Sequence, residues 1–167
     1  LAVTVTRQFR DQEFYDSDRR PNASDQDGTE ALASAALLYA LTDASRIALL
    51  GRYVRDEARE DFETNDQIQL SASYTLELPD PLAVSADPWS TTLSVSYRRL
   101  DYDAPDRTVD PNTAREDDRY EFRLTTAVPV AASLLALATI EYTKNDSNLP
   151  NFEYENTAVS IGMLWVF

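Results

Sequence analysis

The sequence predicts an all-β fold, a transmembrane antiparallel up-and-down β-barrel of about eight strands, built as one domain over residues 1–167. Three observations predict it. Successive segments alternate apolar and polar side chains with the two-residue period of a strand. The connections between them alternate short and long. Aromatic residues gather toward the strand ends on the apolar face.

In chain order, Leu1 to Phe14 sets Leu1, Val3, Val5 and Phe9 against Thr4, Thr6, Gln8 and Arg10. Ala31 to Leu41 is rich in Ala and Leu, which favour a helix by intrinsic propensity. It is read here as a strand, because one helix inside a strand series breaks the hairpin order; an amphipathic helix in an α+β domain is the alternative. Arg46 to Arg55 opposes Ile47, Leu49 and Tyr53 to Arg46 and Arg52, with Leu50 as an exception. The clearest alternation runs from Gln67 to Leu78. There Ile68, Leu70, Ala72, Tyr74, Leu76 and Leu78 face one way, and Gln67, Gln69, Ser71, Ser73, Thr75 and Glu77 the other.

Trp89 to Tyr97 repeats the pattern, with Trp89, Leu93, Val95 and Tyr97 against Ser90, Thr92, Ser94, Ser96 and then Arg98. Tyr120 to Val128 opposes Tyr120, Phe122, Leu124 and Val128 to Glu121, Arg123 and Thr125. Leu134 to Tyr142 opposes Leu134, Ala136, Ala138, Ile140 and Tyr142 to Ser133, Thr139 and Glu141, against which Leu135 and Leu137 run. In the last segment Val159, Ile161, Met163, Trp165 and Phe167 oppose Ala158, Ser160 and Gly162.

Short links fall at Thr42 to Ser45, Pro79 to Pro88 and Pro129 to Ala132. Long polar ones fall at Tyr15 to Glu30, Asp56 to Asp66, Asp101 to Asp118 and Lys144 to Glu155. If consecutive strands are antiparallel neighbours, the long acidic loops share one rim and the short turns the other, which would be the periplasmic side and hold both termini.

Composition narrows the function. The chain has 29 acidic and 15 basic residues, a net charge of -14, and neither Cys nor His. Phosphate binding needs a basic face, so a nucleic-acid partner is not expected. Without Cys there are no disulfides, zinc thiolates or thiol chemistry. Without His, the commonest general base and His-ligated metals are gone too. No enzymatic activity and no cofactor are expected. Carboxylate pairs are plentiful but lie mainly in loops, whereas glycosidase-type catalysis holds two across a rigid cleft.

Asp25-Gln26-Asp27-Gly28 has the opening of a calcium loop without its closing Glu, which reads as a solvated turn. The acidic runs Asp56-Glu57, Glu60-Asp61-Phe62-Glu63 and Glu116-Asp117-Asp118 read as a soluble rim; bridging to lipopolysaccharide through divalent cations is the other reading. No stretch nears the roughly 20 apolar residues of a membrane helix. The chain opens without Met or a secretion-signal pattern, as a mature form or a piece of a longer chain does.

Alternation alone does not say which face points out, since a lipocalin-like soluble barrel also alternates. The polar face carries Arg10, Arg46, Arg52, Gln67, Gln69, Glu77, Arg98, Glu121, Arg123 and Glu141, a balanced set suited to lining a lumen. The apolar face carries Leu70, Tyr74, Trp89, Tyr97, Tyr120, Phe122, Tyr142, Trp165 and Phe167, as lipid contacts and interfacial girdles require. In hydrocarbon, unpaired backbone groups are too costly, so such a sheet must close.

The segment Ala158-Val159-Ser160-Ile161-Gly162-Met163-Leu164-Trp165-Val166-Phe167 resembles the C-terminal strand of bacterial outer-membrane barrels. That resemblance implies residence in the outer membrane of a Gram-negative bacterium, contact with its lipid and lipopolysaccharide, and recognition of this strand by the barrel-assembly machinery. Glu141 to Asn156 resembles the last hairpin loop of outer-membrane barrels associated with exopolysaccharide secretion and of surface-lipoprotein assembly modifiers. Those are usually larger, so the chain is also readable as the C-terminal part of a bigger barrel. The leading expectation is a small barrel resembling the OmpA or OmpX class, whose loops serve adhesion, envelope integrity or partner contact. The alternatives are a porin or export channel, with an envelope or secretion partner, and a soluble lipocalin-like binder.

Overall fold

A computed structural model describes residues 1–16, 19, 23–80, 88–131 and 133–165. The alternating segments form β1 (Ala2–Gln12), β2 (Gly28–Thr42), β3 (Ser45–Ala58), β4 (Asn65–Leu78), β5 (Trp89–Tyr102), β6 (Glu116–Ala131), β7 (Leu134–Ser147) and β8 (Tyr154–Trp165). They make one antiparallel sheet of eight strands in sequence order. Ala31 to Leu41 lies within β2: a partner strand on each side supplies its backbone with a full ladder, and tertiary pairing overrides the helical propensity of Ala and Leu.

The strands outrun the expected segments at the long-loop end. Residues 98–102, 116–119 and 143–147 continue β5, β6 and β7, and β8 begins at Tyr154. These extensions carry charge on both faces, so the ladder goes on where the hydropathy contrast stops. Much of the expected loop Lys144 to Glu155 is therefore strand.

Register shifts lie between Ala40 and Thr42 and between Pro129 and Ala131, both at the short-turn end. Pro129 has no N–H for the ladder, and an irregularity is where a sheet accommodates that. Thr42 and Ser45 hydroxyls bond at 2.7 Å across the first tight turn. At the opposite rim a Cβ on Gly28 would lie 1.8 Å from the Glu57 carbonyl oxygen, so this close approach of β2 to β3 requires glycine. Gly28→Ala is expected to cost about 1 to 3 kcal/mol by forcing a backbone shift, read as faster hydrogen exchange at Thr29 and Glu57.

The expected closure is not present. β1 pairs only with β2, and β8 only with β7, leaving two free edges in the described sheet. An eight-stranded barrel has an interior that its side chains must fill. Here Val54 and Leu149 are the buried hydrophobic residues of the core among those described, and on β4 and β5 the middle of the polar face is Ser71, Ser73, Thr75, Thr92, Ser94 and Ser96. Along these two strands the side chains are too small to fill the interior of a closed eight-stranded barrel.

Candidate functional site

The register places the two predicted sets on opposite faces. Gly51–Leu70–Tyr97–Tyr120 and Leu49–Ala72–Val95–Phe122–Tyr142 run as cross-strand rows on one side. Tyr74, Trp89 and Trp165 share that side, and Phe167 lies outside the described residues. Arg10, Arg46, Arg52, Gln67, Gln69, Glu77, Arg98, Glu121, Arg123 and Glu141 all lie on the other.

Exposure separates the faces. Leu70 is 57% exposed, while its neighbours Gln69 and Ser71 are partly covered. The same inversion recurs along β2, β4 and β5: the apolar side is bare and the polar side sheltered, as in a sheet curved around its polar face. The edge strands lack this shelter. Every described residue of β8 is exposed, with Ile161 at 83%.

A collar bounds the apolar band at its long-loop end. The Tyr53 and Tyr97 hydroxyls donate to Asp66 and Asp118, each at 2.5 Å. Tyr97 packs on Tyr120 with ring centroids 5.3 Å apart. Beyond them stand Arg55, which pairs with Asp66 at 3.1 Å, and Arg99, which pairs with Asp101 and Glu116 at 2.9 Å. Each tyrosine thus has an apolar ring in the band and a polar tip in the charged row, the arrangement a membrane–water boundary favours. At the other end the Trp89 indole donates to Asp80 at 3.1 Å.

The sheltered face is organised by rows. Thr75 and Thr92 hydroxyls lie 2.9 Å apart and Thr125 and Thr139 3.2 Å apart, within a row that begins at Arg46 and ends at Ser160. Ion pairs bridge adjacent strands or alternate positions: Arg10 to Glu30 at 3.0 Å, Arg46 to Glu77 at 3.4 Å, Arg119 to Glu121 at 2.6 Å and Arg123 to Glu141 at 2.6 Å. A concavity of about 600 Å³ opens here, lined in part by Ser71, Ser73, Ser94, Ser96, Glu121 and Arg123.

The rim holds what sequence reasoning missed. Arg115 lies over the Phe152 ring at 3.7 Å and the Tyr102 ring at 5.0 Å, and pairs with Asp117, whose side chain is 2% exposed. Asn148 accepts from the Glu116 N–H at 2.9 Å and donates to the Ala114 carbonyl at 2.8 Å. Together they clasp the β5–β6 and β7–β8 connections. No local pattern announces this, since Arg115 and Phe152 are far apart in sequence and each loop alone reads as polar.

Arg55 also grips Asp103 with both terminal nitrogens, at 2.9 and 2.6 Å, tying β3 to the β5–β6 connection. This hydrogen-bonded cation holds the Asp103 carboxyl below its ordinary range. A depressed folded value means the tie contributes fully above the unfolded pKa of about 3.9 and is lost as pH falls through the lower folded value. Protease cleavage within 104–114 is therefore expected to be flat from neutrality to about pH 5 and to rise below about pH 4. In Asp103→Asn the Asp103-linked part of that rise disappears.

Asp27 accepts from the Phe14 N–H at 2.7 Å and pairs with Arg59 at 3.0 Å, so its carboxylate serves the turn. No group of three or more acidic residues able to hold a metal ion occurs among the described residues.

An antiparallel meander with a bare apolar face, a tyrosine collar and a sheltered polar face is the class of sheet from which outer-membrane barrels are built. The chain belongs to the surface lipoprotein assembly modifier family, whose model matches residues 3–167. That family is associated with the bacterial outer membrane and the assembly of surface lipoproteins, consistent with an envelope location and an envelope partner. Comparison with curated proteins and with solved structures gave no match.

Proposed function

We propose that this sheet is part of the wall of an outer-membrane β-barrel that takes part in surface-lipoprotein assembly, with its apolar face in lipid and its polar face lining an aqueous interior. The observation that carries the reading is the inverted exposure: on one strand, Leu70 is barer than the polar residues beside it. A sheet with that pattern is stable only where its bare side meets hydrocarbon. Family membership supplies the process.

The barrel has more than eight strands, with further strands completing the ladders of β1 and β8. Small hydroxyl side chains along the middle of β4 and β5 on the polar face support a wide, wet interior over a plugged one. The protein acts by positioning and passage, without a catalytic step or cofactor. Lipopolysaccharide meets the collar, and the assembly machinery engages β8.

The test is surface display of a reporter lipoprotein in cells carrying or lacking the full-length protein, together with the protein's mobility in unboiled gels. Loss of display on deletion, and heat-modifiable migration, are expected. A protein extracted without detergent, or undiminished display, would refute the assignment.

A further inference from the structure

Toward the long-loop end of the sheltered face, Arg52 stands opposite Gln69, Gln69 opposite Arg98, and Arg98 opposite Arg119. Like charges directly opposite on antiparallel strands destabilise a sheet. The Arg98–Arg119 pair is such a juxtaposition, in a chain whose net charge is -14. Elsewhere on this face Arg10, Arg46 and Arg123 each face a carboxylate on the next strand.

The row breaks that habit. Arg119 pairs with Glu121, whereas Arg52 and Arg98 form no ion pair among the described residues. The Nε atoms of Arg52 and Arg119 are buried without a hydrogen-bond partner. The like-charge register and the two arginines without a carboxylate are what set this row apart, and a local rule broken without compensation within the fold marks a place where something else supplies it.

We infer that the row Arg52–Gln69–Arg98–Arg119 is a binding site for an acidic peptide segment, Arg98 and Arg119 together holding one carboxylate and Arg52 a second. Guanidinium forks match carboxylates in a bidentate way. Adjacent strands lie about 4.8 Å apart, so Arg98 and Arg119 bracket one group while Arg52 stands roughly 10 Å from Arg98. In a polyproline II segment, which unfolded chains readily adopt, residues three apart lie on one side about 9 Å from each other. The concavity beside the row, lined by Leu38, Ala48 and Leu50 with the hydroxyls of Ser71, Ser73, Ser94 and Ser96 among them, offers such a backbone hydrogen-bonding groups along one side. A lipid phosphate is the poorer fit, because the row faces away from the apolar side that lipid would cover.

The inference rests on the sheltered face being an interior, as proposed above, but its test does not pass through lipoprotein display, so the two can fail separately. Full-length protein in detergent is titrated with a fluorescent Gly/Ser peptide carrying two Asp residues three positions apart, and with the same peptide carrying Asn. The acidic peptide should bind and the Asn peptide should not.

Arg98→Gln should weaken binding by about tenfold or more, Arg98→Lys should fall between, and Arg10→Gln should leave it unchanged. Unchanged mobility in unboiled gels shows that each variant is folded, and Arg98→Lys keeps the test decisive if Arg98→Gln is not. Equal binding of both peptides, or unaltered binding by a folded Arg98→Lys, would overturn the site. Pyrophosphate binding as tight as the peptide's would overturn the ligand in favour of a phosphate.

Discussion

Leu70→Arg should destabilise the inserted protein by about 1 to 3 kcal/mol, the cost of an arginine on the lipid face of a barrel between the midplane and the interface. Leu70 sits on the bare face between Gly51 and Tyr97, in the row whose Tyr97 and Tyr120 form the inner edge of the tyrosine collar. Ser71→Arg, one residue along and pointing into the sheltered concavity, should cost much less because water is at hand. Urea unfolding in lipid vesicles, comparing the two variants with wild type, reads the difference. Equal losses or the reverse order would show that the faces have been assigned the wrong way round.

The second large effect is at the rim. Asp117 is sealed from solvent, with Arg115 as its ion-pair partner and one of its carboxylate oxygens already lacking a hydrogen bond. Arg115→Met leaves that charge buried and alone, a change that typically costs about 3 to 5 kcal/mol. It also removes the cation seated over Phe152 and Tyr102. The expected result is release of the clasp, read as protease cleavage at 148–153 and 103–115. Adding Asp117→Asn should restore most of the loss, since the uncompensated charge is what makes the single change severe. A single variant as resistant as wild type would mean that the clasp is not held by this pair.

The course of most strands was legible because a one-sided sheet must alternate. In β4 the register keeps Ile68, Leu70 and Tyr74 together as their spacing requires. Legibility failed where both faces are charged. Arg98, Arg99, Asp101, Asp117 and Asp118 belong to the ladder between β5 and β6, yet no hydropathy contrast separates them from loop. Closure was not legible either, since alternation reports which side of a strand is apolar and carries no information on how many strands complete the circumference.

The polar candidates were found as a set, but their grouping was not. Which arginine meets which carboxylate depends on register between strands. The contrast between paired Arg123 and unpaired Arg98 emerges only once Ser94 is seen opposite Arg123 and Glu141 beyond it.

The free margins of β1 and β8 bear on how the polypeptide behaves before it reaches a bilayer. Each offers an unsatisfied row of amide and carbonyl groups beside exposed side chains such as Val5 and Ile161. In aqueous buffer one molecule's margin can be extended by another's, and growth has no natural stopping point. Residues 1–167 handled alone in water should therefore thicken into fibrils with the strand spacing of about 4.8 Å, at a rate rising with protein concentration.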